Sequence, residues 1–189
     1  MEPSDVPPLV ALAQRRADDA GFAMSCDRGV GELLAVLAAA SPQGARILEL
    51  GTGTGVGLSW IVHGLGSRVD ASVLTVDTDA GLLEQVRAAG WPAWIEFVCG
   101  DGARVVGERG PFDLVFADAP GGKLDGLDTT ITALAPRGVL VVDDMDPDLH
   151  TTDGLAPALA TVRKTLVAHP GLIATEIPCS THLIVAVKR

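Results

Sequence analysis

The chain has 189 residues, 48% of them hydrophobic, enough for one domain with a full core. Its 24 acidic and 14 basic residues leave a formal net charge of −10, the wrong sign for neutralising nucleic-acid phosphates or an anionic membrane surface. No run reaches the roughly 20 apolar residues of a membrane span, and the opening MEPSDVPPLV lacks the basic and apolar regions of a secretory signal, so a cytoplasmic protein is expected.

Two helical segments come first, about 6–20 and 28–40, with MSCD between them. Five short runs rich in Val, Ile and Leu and ending in Gly or Asp then read as buried parallel strands: RILELG (46–51), SVLTVD (72–77), IEFVCG (95–100), FDLVFAD (112–118) and GVLVVDD (138–144). Between them, Leu58, Ile61, Val62 and Leu65 fall at helical spacing; Leu82, Leu83 and Val86 give a shorter helix, and Leu124, Leu127 and Ile131 another. A helix on Leu155, Leu159, Val162 and Leu166 ends near Pro170. Two strand-like runs follow, LIATEIP (172–178) and HLIVAVK (182–188), whose short link permits only an antiparallel hairpin. Strand–helix alternation predicts an α/β fold with a mostly parallel sheet covered on both faces. Cys26, Cys99 and Cys179 are odd in number and far apart, so neither a disulfide nor a cysteine zinc site is expected.

In an open parallel sheet, ligands bind beyond the carboxyl ends of the strands where the strand order reverses. The loop leaving the first strand, ILELGTGTGVGLSW (47–60), is therefore the leading candidate site. It has no lysine, which excludes a P-loop, and no frame of its glycines fits GxGxxG, which leaves NAD only as a loose variant. Glu49, Gly51, Gly53 and Gly55 do form ExGxGxG. Asp77 closes the second strand, where a carboxylate can accept from both ribose hydroxyls. Gly100-Asp101-Gly102-Ala103 closes the third, and Asp118 lies at the end of the fourth. Each acid could instead cap the helix that follows it.

The glycine motif with these companions resembles class I S-adenosylmethionine (SAM)-dependent methyltransferases. The segment FAMSCDRGVGELLAVLAAA, the order FDLVFADA…K, LAPRGVLVVDD and the closing hairpin resemble more closely a compact bacterial branch of the catechol-type small-molecule O-methyltransferases, over about residues 22–188. The resemblance implies a Rossmann-like doubly wound, mostly parallel seven-stranded sheet with an antiparallel C-terminal hairpin. It implies a single domain over 1–189, with 1–42 as a helical segment over the active site, a small-molecule hydroxyl as acceptor, and a homodimer. It also places the cofactor against Met24, Ser25, Glu49, Gly51, Thr52, Gly53, Gly55, Asp77, Thr78, Asp101, Gly102, Ala103 and Asp118.

In that family three metal ligands come from the end of the fourth strand and from a DN pair after the fifth. The matching positions here are Asp118, Asp143 and Asp144, a DD pair, and three carboxylates would suit Mg²⁺ or Ca²⁺. The family's lysine follows the aspartate closely; here Lys123 lies five residues beyond Asp118, and His150 is the alternative base. His182 is a candidate for the acceptor pocket, while His63 and His169 read as structural, Trp60 as core, and Trp91 and Trp94 as core or rim. With no Tyr and 4% aromatic residues, the chain has little with which to stack an aromatic acceptor. A cofactor-binding protein that has lost catalysis, and an NAD-type oxidoreductase, are the alternative functions.

Overall fold

Strands and helices follow one another from residue 46 to 168, and a closing strand pair comes after them, as the apolar runs predict. The structure is a computed structural model that describes residues 6–150, 152, 154–178 and 181–189, so Cys179 lies outside it. The strands are β1 (Arg46–Leu50), β2 (Ser72–Asp77), β3 (Ile95–Cys99), β4 (Phe112–Ala117), β5 (Leu134–Val142), β6 (Leu172–Ile177) and β7 (Leu183–Lys188). They form one sheet in the order β3-β2-β1-β4-β5-β7-β6. Strands β1 to β5 run parallel, and β7 is antiparallel to both of its neighbours. The chain winds outward from β1 in one direction and from β4 in the other. The crevice between their carboxyl ends is the switch point at which such sheets bind ligands.

The helices are α1 (Pro8–Ala20), α2 (Arg28–Ala40), α3 (Val56–Leu65), α4 (Ala80–Arg87), α5 (Gly102–Arg109), the short α6 (Pro120–Lys123), α7 (Leu127–Thr132) and α8 (Ala156–Ala168). The side chains of α1, α2, α3 and α4 bury one face of the sheet in a core that includes Leu34, Leu58, Trp60, Ile61 and Phe116. Those of α5, α7 and α8 bury the other, around Leu48, Leu50, Val106, Leu140 and Leu166. Helix α2 lies so close on α3 that a Cβ at Gly64 would stand 2.1 Å from the Ala35 carbonyl oxygen. Trp60 is core, as expected, and Trp91 and Trp94 pack partly buried against the same cluster. His63 is exposed and His169 accepts from the Gly171 amide at 3.1 Å, both structural placements.

Three local departures have physical causes. The first helix starts at Pro8, where proline's fixed φ suits the first turn. Strand β5 begins at Leu134 rather than 138, because Leu134 already pairs with Phe112 before the register shifts. The helix read from Leu124, Leu127 and Ile131 is two pieces, since Gly126 at φ 86° separates them and Gly121 and Gly122 are non-helical. Helices α1 and α2 pack on α3, so it is the connector 21–27 that reaches the crevice. Among the described residues no helix is long and apolar enough to cross a membrane.

Candidate active site

The glycine loop is shaped by its neighbours as much as by any ligand. Gly51, Gly53 and Gly55 have φ of 100°, 49° and 83°, the left-handed region that side chains disfavour. A Cβ on Gly51 would stand 2.7 Å from the Asp118 carbonyl oxygen. The amides of Gly51 and Thr52 both donate to the Val76 carbonyl, and the Gly53 amide donates to Asp77 Oδ2 at 2.8 Å. The loop is thus fastened between β2 and β4, and Gly55 caps α3.

Above it opens a cavity of about 410 Å³. Gly51, Gly53, Asp77, Thr78, Asp101, Gly102 and Asp118 line it from the strand ends, and Phe22 and Met24 line it from the connector. A smaller space, which shares Met24, Gly51, Gly53 and Asp118 with the first, is lined also by Ser25, Glu49 and Thr52. Of the residues placed against the cofactor, Gly55 and Ala103 border neither space. The Ala103 amide instead donates to Asp101 Oδ1 at 2.9 Å, so Asp101 does cap α5 while one oxygen remains free to face the cavity.

The acids are tuned by burial. Glu49 is fully enclosed; its Oε2 accepts from Thr75 Oγ1 at 2.6 Å, which lies 2.6 Å from Thr52 Oγ1. Its Oε1 is buried without a hydrogen-bond partner. Burial first, and the charge of Asp77 after it, push this carboxyl up to about 8. Burial and the charge of Asp143 likewise carry Asp118 well above the usual carboxylate range, while Lys123 pulls it back. Burial also raises Asp143.

The expected metal set does not assemble. Among the described residues no three His, Cys, Asp or Glu side chains are grouped to hold an ion. Asp143 is 2% exposed, and its Oδ1 already accepts from Thr181 Oγ1 and from the Asp144 amide. Lys123, 6% exposed, donates to the Asp143 carbonyl oxygen at 3.1 Å. Asp143, Asp144, Lys123 and His150 all lie outside the residues that line the two spaces. His150 sits on the turn Pro147–His150 near Asp146, and His182 pairs with Asp146 at 3.1 Å. The DD pair acts on Asp118 from outside the two spaces, and both histidines gather at Asp146.

Residues 48–145, from the glycine strand to the turn after β5, match the family described as "Methyltransferase domain". The chain belongs to that family. It is 32% identical over 184 residues to a catechol O-methyltransferase of Mycobacterium tuberculosis, a match covering 90% of this chain and 81% of that one. The crystal structure of a cofactor-bound protein from MTB is similar at TM-score 0.82 and 26% identity, over 97% of this chain and 91% of that one. The O-methyltransferase TomG from Streptomyces achromogenes, crystallised with SAM, shares the fold at TM-score 0.81 and 21% identity, over 97% and 91%.

Several residues at this methyltransferase site escape the sequence reading. Phe22 stands over the loop, its ring 3.1 Å from where a Gly53 Cβ would lie. As the one aromatic residue in FAMSCD it carried a usable signal. So did Thr75, a polar residue inside the buried strand SVLTVD. Thr181 carried none, because only the hairpin brings it to Asp143.

Proposed function

We propose that the chain transfers the methyl group of SAM to a hydroxyl oxygen of a small molecule. The observation that carries this reading is the cavity at the β1/β4 switch point. Acids from three successive strand ends, Asp77, Asp101 and Asp118, face it over a glycine loop that has no lysine. A lysine-free loop with acids around it suits a cationic ligand better than a phosphate.

The residues present fit that cofactor. Asp77 has one oxygen on the Gly53 amide and the other on the Asp79 amide, which leaves a lone pair on each for ribose hydroxyls. Asp101 keeps Oδ2 free for an exocyclic amine. Glu49, which lines the narrower space, would when ionised offer negative charge to the amino-acid end. When bound, SAM supplies an electrophilic methyl on a sulfonium. Asp118 borders both spaces, and its raised affinity for a proton makes it the group that takes the proton from the acceptor hydroxyl. A cofactor held there would give up its methyl carbon to that oxygen, the electrons of the broken carbon–sulfur bond remaining on sulfur. Phe22 and Phe116 are the aromatic side chains lining the two spaces, so acceptor recognition rests on shape and the hydroxyl rather than on extensive stacking.

The test is methyl transfer from labelled SAM to a panel of alcohols and phenols. Label is expected in an ether product and is expected to be lost in Asp118→Asn. Cofactor binding with no transfer to any hydroxyl would instead support the reading as a binding protein.

A further inference from the structure

Lys123 is buried at the carboxyl edge of the sheet, and a lysine ammonium is costly to enclose without compensating charge. It is held there by construction. The preceding Gly122 has φ 93°, and a Cβ on it would stand 2.4 Å from Leu50 Cδ1; the Gly122 carbonyl accepts from the buried Thr130 hydroxyl at 2.8 Å. This turn folds Lys123 inward, onto the carbonyl oxygen of Asp143 at 3.1 Å. Its positive charge favours the ionised forms of Asp118 and Asp143, against the larger opposing effects of burial and of the neighbouring carboxylates.

A fixed cation therefore already acts on two of the three positions that would hold a divalent ion, and the hydroxyl of Thr181 and the amide of Asp144 occupy Asp143 Oδ1. We propose that the Lys123 ammonium takes the electrostatic place of the divalent ion, so that this chain works without one. The proposal rests on the O-methyltransferase reading. It makes Lys123 a positioning residue that keeps Asp118 and Asp143 side by side, and leaves the acceptor proton to Asp118. A lysine five residues beyond the aspartate, where the related pattern has it closer, is the sequence mark of this exchange.

The experiment is a Mn²⁺ titration, followed by electron paramagnetic resonance, of the wild type, Lys123→Arg and Lys123→Met. Unfolding curves establish that each is folded. A unit charge and a divalent ion several ångströms apart repel by several RT at an effective dielectric near 20, so removing the charge should tighten Mn²⁺ binding roughly a hundredfold or more. The wild type and Lys123→Arg are expected to show no stoichiometric Mn²⁺, and Lys123→Met to gain it. Methyl transfer by the wild type should survive EDTA. Stoichiometric Mn²⁺ on the wild type, activity lost to EDTA, or a folded Lys123→Met as indifferent to Mn²⁺ as the wild type would each overturn the proposal. If Lys123→Met does not fold, the wild-type titration decides alone. Failure of the underlying reading shows separately, as absence of S-adenosylhomocysteine binding by calorimetry.

Discussion

Glu49→Gln replaces a fully buried carboxyl by an amide of nearly the same shape while keeping an acceptor for the Thr75 hydroxyl, 2.6 Å away. Burial lifts the Glu49 carboxyl from 4.5 to about 8, so across that window the folded chain holds a proton the unfolded chain has released. Stability must then fall as pH rises through the window, by at most about 1.4 kcal/mol per pH unit for this one group. Glutamine cannot titrate. Any cost of its extra N–H donors is the same at every pH and cancels from the slope. Between pH 5.5 and 8 the variant should therefore gain on the wild type by roughly 3 kcal/mol at most, and relaxation around the buried charge reduces that. Urea unfolding of the ligand-free proteins at the two pH values measures it. Parallel pH profiles for wild type and variant would refute a protonated Glu49. The same reasoning makes Glu49 a link between pH and cofactor charge: cationic SAM favours the ionised carboxylate and should bind more tightly as pH rises, with neutral-sulfur S-adenosylhomocysteine following less steeply.

Gly51→Ala forces a Cβ to within 2.7 Å of the Asp118 carbonyl oxygen at φ 100°, and should cost about 1–3 kcal/mol in urea unfolding; unchanged stability would show the loop is not fixed as described. Asp118→Asn should lower kcat by about a hundredfold or more with little change in S-adenosylhomocysteine affinity, and wild-type rate should rise with pH through a pKa above the usual carboxylate range. A flat pH–rate profile would count against Asp118 as base. Thr181→Val removes the hydroxyl donor to Asp143 and should cost about 1 kcal/mol of stability, read in the same unfolding assay. No loss there would mean the hairpin does not brace Asp143.

The parts of the site that follow one strand into one turn were legible in the sequence. Gly51, Asp77, Asp101 and Asp118 each stand at or just past the end of a short apolar run, and a parallel sheet gathers all such ends at one edge. What the sequence could not resolve depends on side chains meeting across the fold. The inward turn of Lys123 is one case, set by the left-handed Gly122 and by Thr130 eight residues on. The early start of β5 is equally hidden, because Pro136 and Arg137 read as loop while Leu134 pairs with Phe112 across the register shift. Within 1–42 it is the connector that lines the cavity, while α2 lies on α3 through the close contacts at Gly31 and Gly64.

The central claim is that the acidic, lysine-free cavity at the β1/β4 switch point holds a SAM-type cofactor, with Asp77 on the ribose. Calorimetric titration with S-adenosylhomocysteine tests it most directly, run on the wild type and on Asp77→Ala with NAD⁺ as the control ligand. The account predicts one site per chain, affinity weakened by about 1–3 kcal/mol in the variant through unpaired ribose hydroxyls, and no NAD⁺ binding. Tight NAD⁺ binding with none for S-adenosylhomocysteine would contradict it.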